Sequence, residues 1–130
     1  MLVILDSSML MLPLEKKINI SLELERILLI SFEIVVPKIV ICELERIMQE
    51  ASPSTQKKAK LALELANIYR ILDSNTDGLA DDEIERLAIE NNSIVATNDS
   101  ELRLKLREKG IAVVALHGKN KLAIFGYIND

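Results

Sequence analysis

Short runs of branched apolar residues recur along this chain, and each is followed by a segment with the spacing of an amphipathic helix. The first run, Leu2–Leu5, is too short for a helix and stops at Asp6. Such runs indicate buried strands, and strands that alternate with helices form a parallel sheet with helices on both faces. The pattern therefore predicts an α/β fold: a three-layer α/β/α sandwich with a central five-stranded parallel sheet.

The same periodicity predicts where the elements lie. Strands are expected at 2–5, 34–36, 69–72, 93–97 and 111–116, and the tail at 122–127 is expected to add a short edge strand. Helical spacing marks the segments 21–30, 41–48, 59–66, 84–88 and 102–106, and Gly110 is suited to the left-handed position that follows a helix. We predict one domain over residues 1–130, since this length is typical of a single domain.

Composition excludes several classes of protein. Cys42 is the only cysteine, so there is no intramolecular disulfide and no Cys-based zinc site. The apolar N-terminus is interrupted by Asp6 and followed by lysines, the wrong order for a signal peptide. No apolar run reaches the ~18 residues needed to span a bilayer. We therefore expect a soluble, cytoplasmic protein that does not enter membranes.

Charge is unevenly distributed. The formal net charge is −4, which argues against nucleic-acid binding through a global positive field. However, basic residues are concentrated near the C-terminus: Arg103, Lys105, Arg107, Lys109, Lys119 and Lys121. The four on the predicted helix form either a basic binding surface or a solvated helix face, and the sequence favours neither interpretation. The i, i+4 pairs point in different directions, so not all four can face one partner.

Carboxylates from four segments are expected to meet at one edge of the sheet. Asp6 and Asp99 follow the first and fourth strands. Asp81 begins a helix that must run away from the same edge, and Glu43 lies early in a helix that descends from it. Unpaired like charges raise one another's pKa, and a hard cation such as Mg²⁺ or Mn²⁺ is the natural remedy for oxygen ligands.

Each acid also has a purely structural interpretation. Asp81 and Asp82 could complement the positive end of a helix. Asn98 with Glu101 has the spacing of a capping box, which would leave Asp99 as a first-turn acid. The sequence alone leaves these alternatives open for single residues, although convergence on one edge favours a functional site.

Four segments together resemble the acidic motifs of PIN-domain nucleases. They are VILDSS at 3–8, VPKIVICELERI at 36–47, ADDEIERLA at 80–88 and IVATNDSELRLKLREKGIAVVAL at 94–116. Within that family the chain is most similar to small archaeal PIN proteins, which share features with the PIN nuclease of small-subunit ribosome maturation, including GKNKL at 118–122. The toxin nucleases of toxin–antitoxin pairs are close relatives.

The resemblance implies a metal-dependent endoribonuclease that leaves 5′-phosphate and 3′-hydroxyl ends. One or two Mg²⁺ or Mn²⁺ ions would be held by the four acids Asp6, Glu43, Asp81 and Asp99. The third-motif acid is assigned to Asp81 because the family's acid lies seven residues before the small residue, here Ala88. Supporting roles fall to Ser8, Thr97, Asp82 and Asn98, and RNA contacts to Arg103, Lys105, Arg107 and Lys109.

The resemblance leaves the biological role open between RNA maturation, such as rRNA processing, and toxin activity. The expected partners are RNA and either an antitoxin or a ribosome-assembly protein. A homodimer is expected because PIN domains often pair, and the apolar stretch at 9–14 either faces a second copy or lies in the core. His117 is interpreted as a surface loop residue.

Other classes fit less well. The alternative function is a catalytically silent PIN domain that binds RNA or protein. A phosphorelay receiver would need an acid pair after the first strand and a lysine after the fifth, and both are absent. The four glycines form no phosphate-binding loop pattern.

Overall fold

A computed structural model describes residues 1–128. The strands are β1 (Leu2–Leu5), β2 (Glu33–Pro37), β3 (Arg70–Leu72), β4 (Ile94–Ala96), β5 (Val113–His117) and β6 (Lys121–Phe125). The helices are α1 (Ser7–Glu15), α2 (Ile20–Ile27), α3 (Lys38–Glu50), α4 (Pro53–Ala66), α5 (Ala80–Asn91) and α6 (Ser100–Glu108).

One sheet carries all six strands in the order β3-β2-β1-β4-β5-β6. The first five strands in the chain run parallel, and β6 pairs antiparallel with β5 through the turn after His117. The α/β architecture with flanking helices is confirmed. The count of five strands is wrong, because the tail adds the expected edge strand to the same sheet. His117 lies at the end of β5 and is exposed.

The central strand β1 places the first acid. Val3, Ile4 and Leu5 are fully buried between β2 and β4. Asp6 is the first polar residue after them and lies where the strand ends. Strand order reverses at β1, since β2 lies on one side and β4 on the other. Parallel α/β sheets bind ligands at this switch point, beyond the carboxyl ends of the strands. We call this end of the sheet the carboxyl edge.

Helix α1 does not appear among the helices expected from periodicity. Its run of methionine and leucine residues contains Pro13 and lacks a clear polar face. Met9, Leu10 and Leu12 are buried, and Leu14 is 40% exposed. The apolar stretch at 9–14 therefore belongs mainly to the core.

Strand β6 is held from outside by α2. Leu122 donates its N–H to Glu23 Oε1 at 2.8 Å, and its carbonyl accepts from Arg26 Nη2 at 2.9 Å. Arg26 Nη2 also forms an ion pair with Glu23 Oε1 at 2.9 Å. A glutamate and an arginine thus take the place that a neighbouring strand would occupy, which protects part of an edge that would otherwise be open to pairing.

None of the helices described over residues 1–128 has the length and apolar character needed to cross a membrane.

Candidate active site

Asp6 is the most deeply buried acid of the carboxyl edge, with 6% of its surface exposed. It is the N-cap of α1, and its Oδ1 accepts the Met9 N–H at 2.8 Å. The Ser8 hydroxyl donates to Oδ1 at 2.8 Å, and the Thr97 hydroxyl donates to Oδ2. Both carboxylate oxygens are therefore oriented by donors from two different segments.

The pKa of Asp6 is raised from 3.8 to about 6. Burial is the largest cause, since removal from water disfavours the charged form. The nearby Glu43 carboxylate raises the pKa further, whereas the hydrogen bonds from Thr97, Met9 and Ser8 oppose the shift. A carboxyl group with this pKa is mostly ionised at neutral pH, and a positive partner would favour its charged form further.

Two hydroxyls join the ends of β1 and β4. Ser8 Oγ and Thr97 Oγ1 lie 3.3 Å apart. Ser8 Oγ also accepts the Asn98 N–H at 2.9 Å, and Thr97 Oγ1 accepts the Asp99 N–H at 3.0 Å. Ser8 and Thr97 thus fix the backbone at Asn98 and Asp99. Their contacts are compatible with the supporting roles predicted for both residues.

Glu43 is held by a residue that sequence reasoning missed. The Ser7 hydroxyl donates to Glu43 Oε1, which links the start of α1 to α3. The two residues are 36 positions apart, so no spacing in the sequence indicates the contact. A hydroxyl directly after the Asp6 cap was the only available signal.

Asp99 is the N-cap of α6. Its Oδ1 accepts the Glu101 N–H at 2.9 Å and the Leu102 N–H at 3.3 Å. The expectation that Asn98 caps this helix is wrong, since the helix begins one residue later and Asn98 is exposed. Capping engages one carboxylate oxygen and is compatible with a ligand role for the other.

Asp81 is electrostatically coupled to the other acids. Burial raises its pKa, and the Asp99 and Glu43 carboxylates raise it further. Lys105 opposes the shift. The charges of Glu43 and Asp99 therefore act on Asp81, and the charge of Glu43 also acts on Asp6. The expected convergence of Asp6, Glu43, Asp81 and Asp99 on the carboxyl edge is present.

The donor set suits a hard cation. Carboxylates and hydroxyls supply only oxygen ligands, which Mg²⁺ and Mn²⁺ prefer. Burial is the main cause of the raised pKa values of Asp6 and Asp81, and neighbouring carboxylates add to both shifts. Within residues 1–128, no three His, Cys, Asp or Glu side chains already stand in ligand positions around one point. A metal held at the carboxyl edge would have the carboxylate oxygens of these acids as its protein ligands.

The three basic residues of α6 and Lys109, which is the C-cap of that helix, lie in different surroundings. Lys105 Nζ pairs with Asp82 Oδ1 beside Asp81. Arg103 lies over the ring of Phe125 and lines a cavity with Asp99. Arg107 donates to the Ile111 carbonyl at 3.0 Å.

Lys109 lines a cavity together with Met1 and Ile94, at the end of the sheet opposite the acids. Of the four basic residues predicted to contact RNA, Arg103 and Lys105 are therefore the two that adjoin the acids.

A parallel sheet with acids from four segments at its switch point defines a chain of the PIN-domain type. A family model described as a PIN-like domain matches residues 3–119, and the chain belongs to this family.

Similar proteins include Ribonuclease VapC4 of Methanocaldococcus jannaschii. It is 39% identical over 126 residues, which cover 95% of each chain.

Solved structures show the same fold. The PIN domain endonuclease Utp24 superposes with a TM-score of 0.79 at 22% identity, over 98% of this chain and 93% of that one. A domain of a functionally unknown protein from Methanocaldococcus jannaschii gives 0.67 at 20% identity, over 90% and 91%. VapBC-1 from nontypeable Haemophilus influenzae gives 0.60 at 16% identity, over 83% and 94%.

Proposed function

We propose that this protein is a metal-dependent endoribonuclease that hydrolyses phosphodiester bonds in RNA. The observation that carries the proposal is that acids from four segments lie at the carboxyl edge of the sheet, where the Glu43 carboxylate contributes to the raised pKa values of both Asp6 and Asp81. The 39% identity with Ribonuclease VapC4 supports RNA as the substrate class.

Each side chain has a distinct task in this proposal. Asp6, Glu43, Asp81 and Asp99 would hold one or two Mg²⁺ or Mn²⁺ ions, which activate water and stabilise the leaving oxygen when bound. Ser8 and Thr97 orient Asp6 through their hydroxyls, and Ser7 orients Glu43. Preorganised ligands of this kind lower the cost of assembling the site.

The positive side chains on the rim favour an anionic substrate. Lys105 is held beside Asp81 by its ion pair with Asp82. This ammonium group would offer an RNA phosphate a positive partner next to the acids. Asp82 therefore acts as a positioning residue for Lys105, and Asn98 lies exposed at the same edge.

The deciding experiment is an RNA cleavage assay with Mn²⁺, with Mg²⁺ and with EDTA. We expect wild-type protein to cleave only with a metal and Asp6→Asn to lose at least ~100-fold in rate, a loss typical of removing a group that acts on the reacting atoms. Asp77→Asn is the matched control, because Asp77 is exposed in the loop before α5. Cleavage by Asp6→Asn at the wild-type rate would overturn the assignment.

We further propose a protein partner of the antitoxin kind and a cytoplasmic location. The resemblance to toxin nucleases and the identity with Ribonuclease VapC4 favour this role over RNA maturation. Co-expression with a small neighbouring reading frame should yield a complex with suppressed cleavage. Cleavage that is unchanged by any neighbouring product would instead favour a processing nuclease. A homodimer remains a prediction, for which the oligomeric state in solution is the test.

A further inference from the structure

Arg103, one turn along α6 from its N-cap Asp99, lies on the ring of Phe125. The guanidinium carbon is 4.6 Å from the ring centroid, within the range in which an aromatic face attracts a cation. Phe125 is the last residue of β6 and is partly buried. The sixth strand therefore supplies the surface on which this arginine rests.

The charge of Arg103 is not cancelled by an acid. Arg26, Arg70 and Arg86 each form an ion pair with a glutamate. Within residues 1–128, no carboxylate lies within ion-pair distance of Arg103. An aromatic contact through the flat face leaves the N–H groups at the edge of the guanidinium able to bind an anion.

A small cavity adjoins this arginine. It has a volume of about 190 Å³ and is lined by Thr97, Asn98, Asp99, Ser100, Arg103 and Ala115. Asp99 is one of the four acids of the carboxyl edge, so the cavity adjoins the acidic site. The remaining polar groups of the lining are neutral amide and hydroxyl side chains, which can donate hydrogen bonds to an anion.

We propose that the cavity between Asp99 and Arg103 is the subsite for an RNA backbone phosphate next to the cleaved bond, with Phe125 holding the Arg103 guanidinium in place. Arg103 binds the phosphate through its planar fork of N–H donors, and Phe125 is a positioning residue. This inference rests on the proposed function, because it deepens the substrate side of the same site.

The first test measures binding of a fluorescein-labelled single-stranded RNA of 12 nucleotides in EDTA, where metal-dependent cleavage is stopped. Binding is measured over a series of salt concentrations. We expect Arg103→Ala to weaken binding about tenfold, the loss expected for one charge-assisted hydrogen bond. The slope of log K against log salt should become shallower by about 0.7, the value for one phosphate contact with a single strand.

Lys17→Ala is the control for charge. Lys17 is exposed beyond the far end of α1, which starts at the carboxyl edge and runs away from it. Its removal should leave the salt slope unchanged. If Arg103→Ala behaves like Lys17→Ala, the phosphate subsite is wrong.

The role of Phe125 is tested by a double-mutant cycle. Phe125→Leu should weaken RNA binding about two- to fivefold, the range of an exposed cation–π contact, with no change in salt slope. In an Arg103→Ala background the same change should have no further effect, because the cation it holds is gone. Tyr127→Leu, which removes an 88% exposed aromatic ring elsewhere, is the matched control.

The outcomes separate this inference from the proposed function. Metal-dependent cleavage that requires Asp6, combined with an Arg103→Ala salt slope equal to wild type, would keep the nuclease and discard the subsite. Loss of RNA affinity in Arg103→Ala without any metal-dependent cleavage by wild type would keep the phosphate subsite on a silent RNA-binding domain. The positioning role of Phe125 would be overturned if Phe125→Leu weakened RNA binding equally in the wild-type and in the Arg103→Ala background.

Discussion

The hydroxyl of Thr97, at the end of β4, donates a hydrogen bond to Oδ2 of Asp6, at the end of β1. The two residues are neighbours across the sheet, and Thr97 is fully buried. The same hydroxyl oxygen accepts the Asp99 N–H. One side chain therefore orients an acid and fixes the backbone of another.

Replacement of Thr97 by valine should raise the pKa of Asp6 above about 6, because the Thr97 hydrogen bond is the strongest influence that lowers it. Valine keeps the shape but leaves the Asp99 N–H without an acceptor, so stability should fall by about 1–3 kcal/mol. Carboxyl ¹³C NMR measures the pKa, and denaturant unfolding measures the free energy. Thr97→Ser retains the hydroxyl and should change the pKa little; an unchanged pKa in Thr97→Val would contradict the account.

The pH dependence of stability should carry the mark of Asp6. Its pKa is 3.8 when unfolded and about 6 when folded, so between these values the folded state binds more protons. Stability in EDTA should then fall as pH rises from about 4 to about 6, by about 3 kcal/mol for this residue.

The contribution of Asp6 is isolated by comparing wild type with Asp6→Asn over the same pH range. Asparagine is an equally good N-cap, so α1 should persist. The difference in unfolding free energy between the two proteins should change in favour of Asp6→Asn as pH rises. A difference that stays constant with pH would show that burial does not shift this acid.

The sequence predicts the parallel strands well because their apolar runs are short and end abruptly in polar residues. Strand β1 has the expected bounds, and the Asp6 position follows from them. The antiparallel direction of β6 was not predicted, because it depends on the turn after His117 and on the contact of Leu122 with α2.

The position of the acids at one edge of the sheet was predicted from the sequence, but their contacts were not. Order of strands and direction of helices suffice to bring Asp6, Asp81 and Asp99 to one edge. The Ser7–Glu43 contact depends on where α1 starts, and the finding that Asp99 rather than Asn98 caps α6 depends on where α6 starts. The start of a helix can shift by one residue without any change in the apolar pattern.

Asp81→Asn should stabilise the protein in EDTA, because the pKa of Asp81 is raised by burial and by two neighbouring carboxylates. Asp81 is only partly buried, so screening by solvent should keep the gain below about 1 kcal/mol. Thermal unfolding measures it, with Asp77→Asn as the control. In Mn²⁺ the order should reverse, since wild type gains binding energy that the variant lacks; a variant that is less stable than wild type in EDTA would favour a helix-end role for Asp81.

Lys105→Gln should have opposite effects on the two ligands of the site. The ammonium group lies close to Asp81 and Asp82, so its removal should strengthen Mn²⁺ binding and weaken RNA binding. Calorimetry measures the metal, and the labelled RNA measures the substrate. Lys17→Gln controls for net charge, and parallel changes in both affinities would refute a rim position for Lys105.

The contact of Glu23 and Arg26 with Leu122, which we call the β6 clamp, should weaken at low pH. Glu23 accepts from Arg26 and from the Leu122 N–H, and these bonds lower its pKa from 4.5 to about 2. Because the folded pKa is lower than the unfolded one, the stabilisation is present above about 4.5 and is lost as pH falls towards 2.

Amide hydrogen exchange at Leu122 reports this clamp directly. Exchange should be faster in Glu23→Ala than in wild type at neutral pH, because the N–H loses its acceptor and the edge of β6 opens to water. Glu25→Ala, an exposed acid on the same helix, is the matched control and should leave the Leu122 amide unchanged. Equal protection of Leu122 in wild type and Glu23→Ala would mean that pairing with β5 alone holds the sixth strand. The contact of Phe125 with Arg103 should then also be unaffected by the Glu23→Ala change.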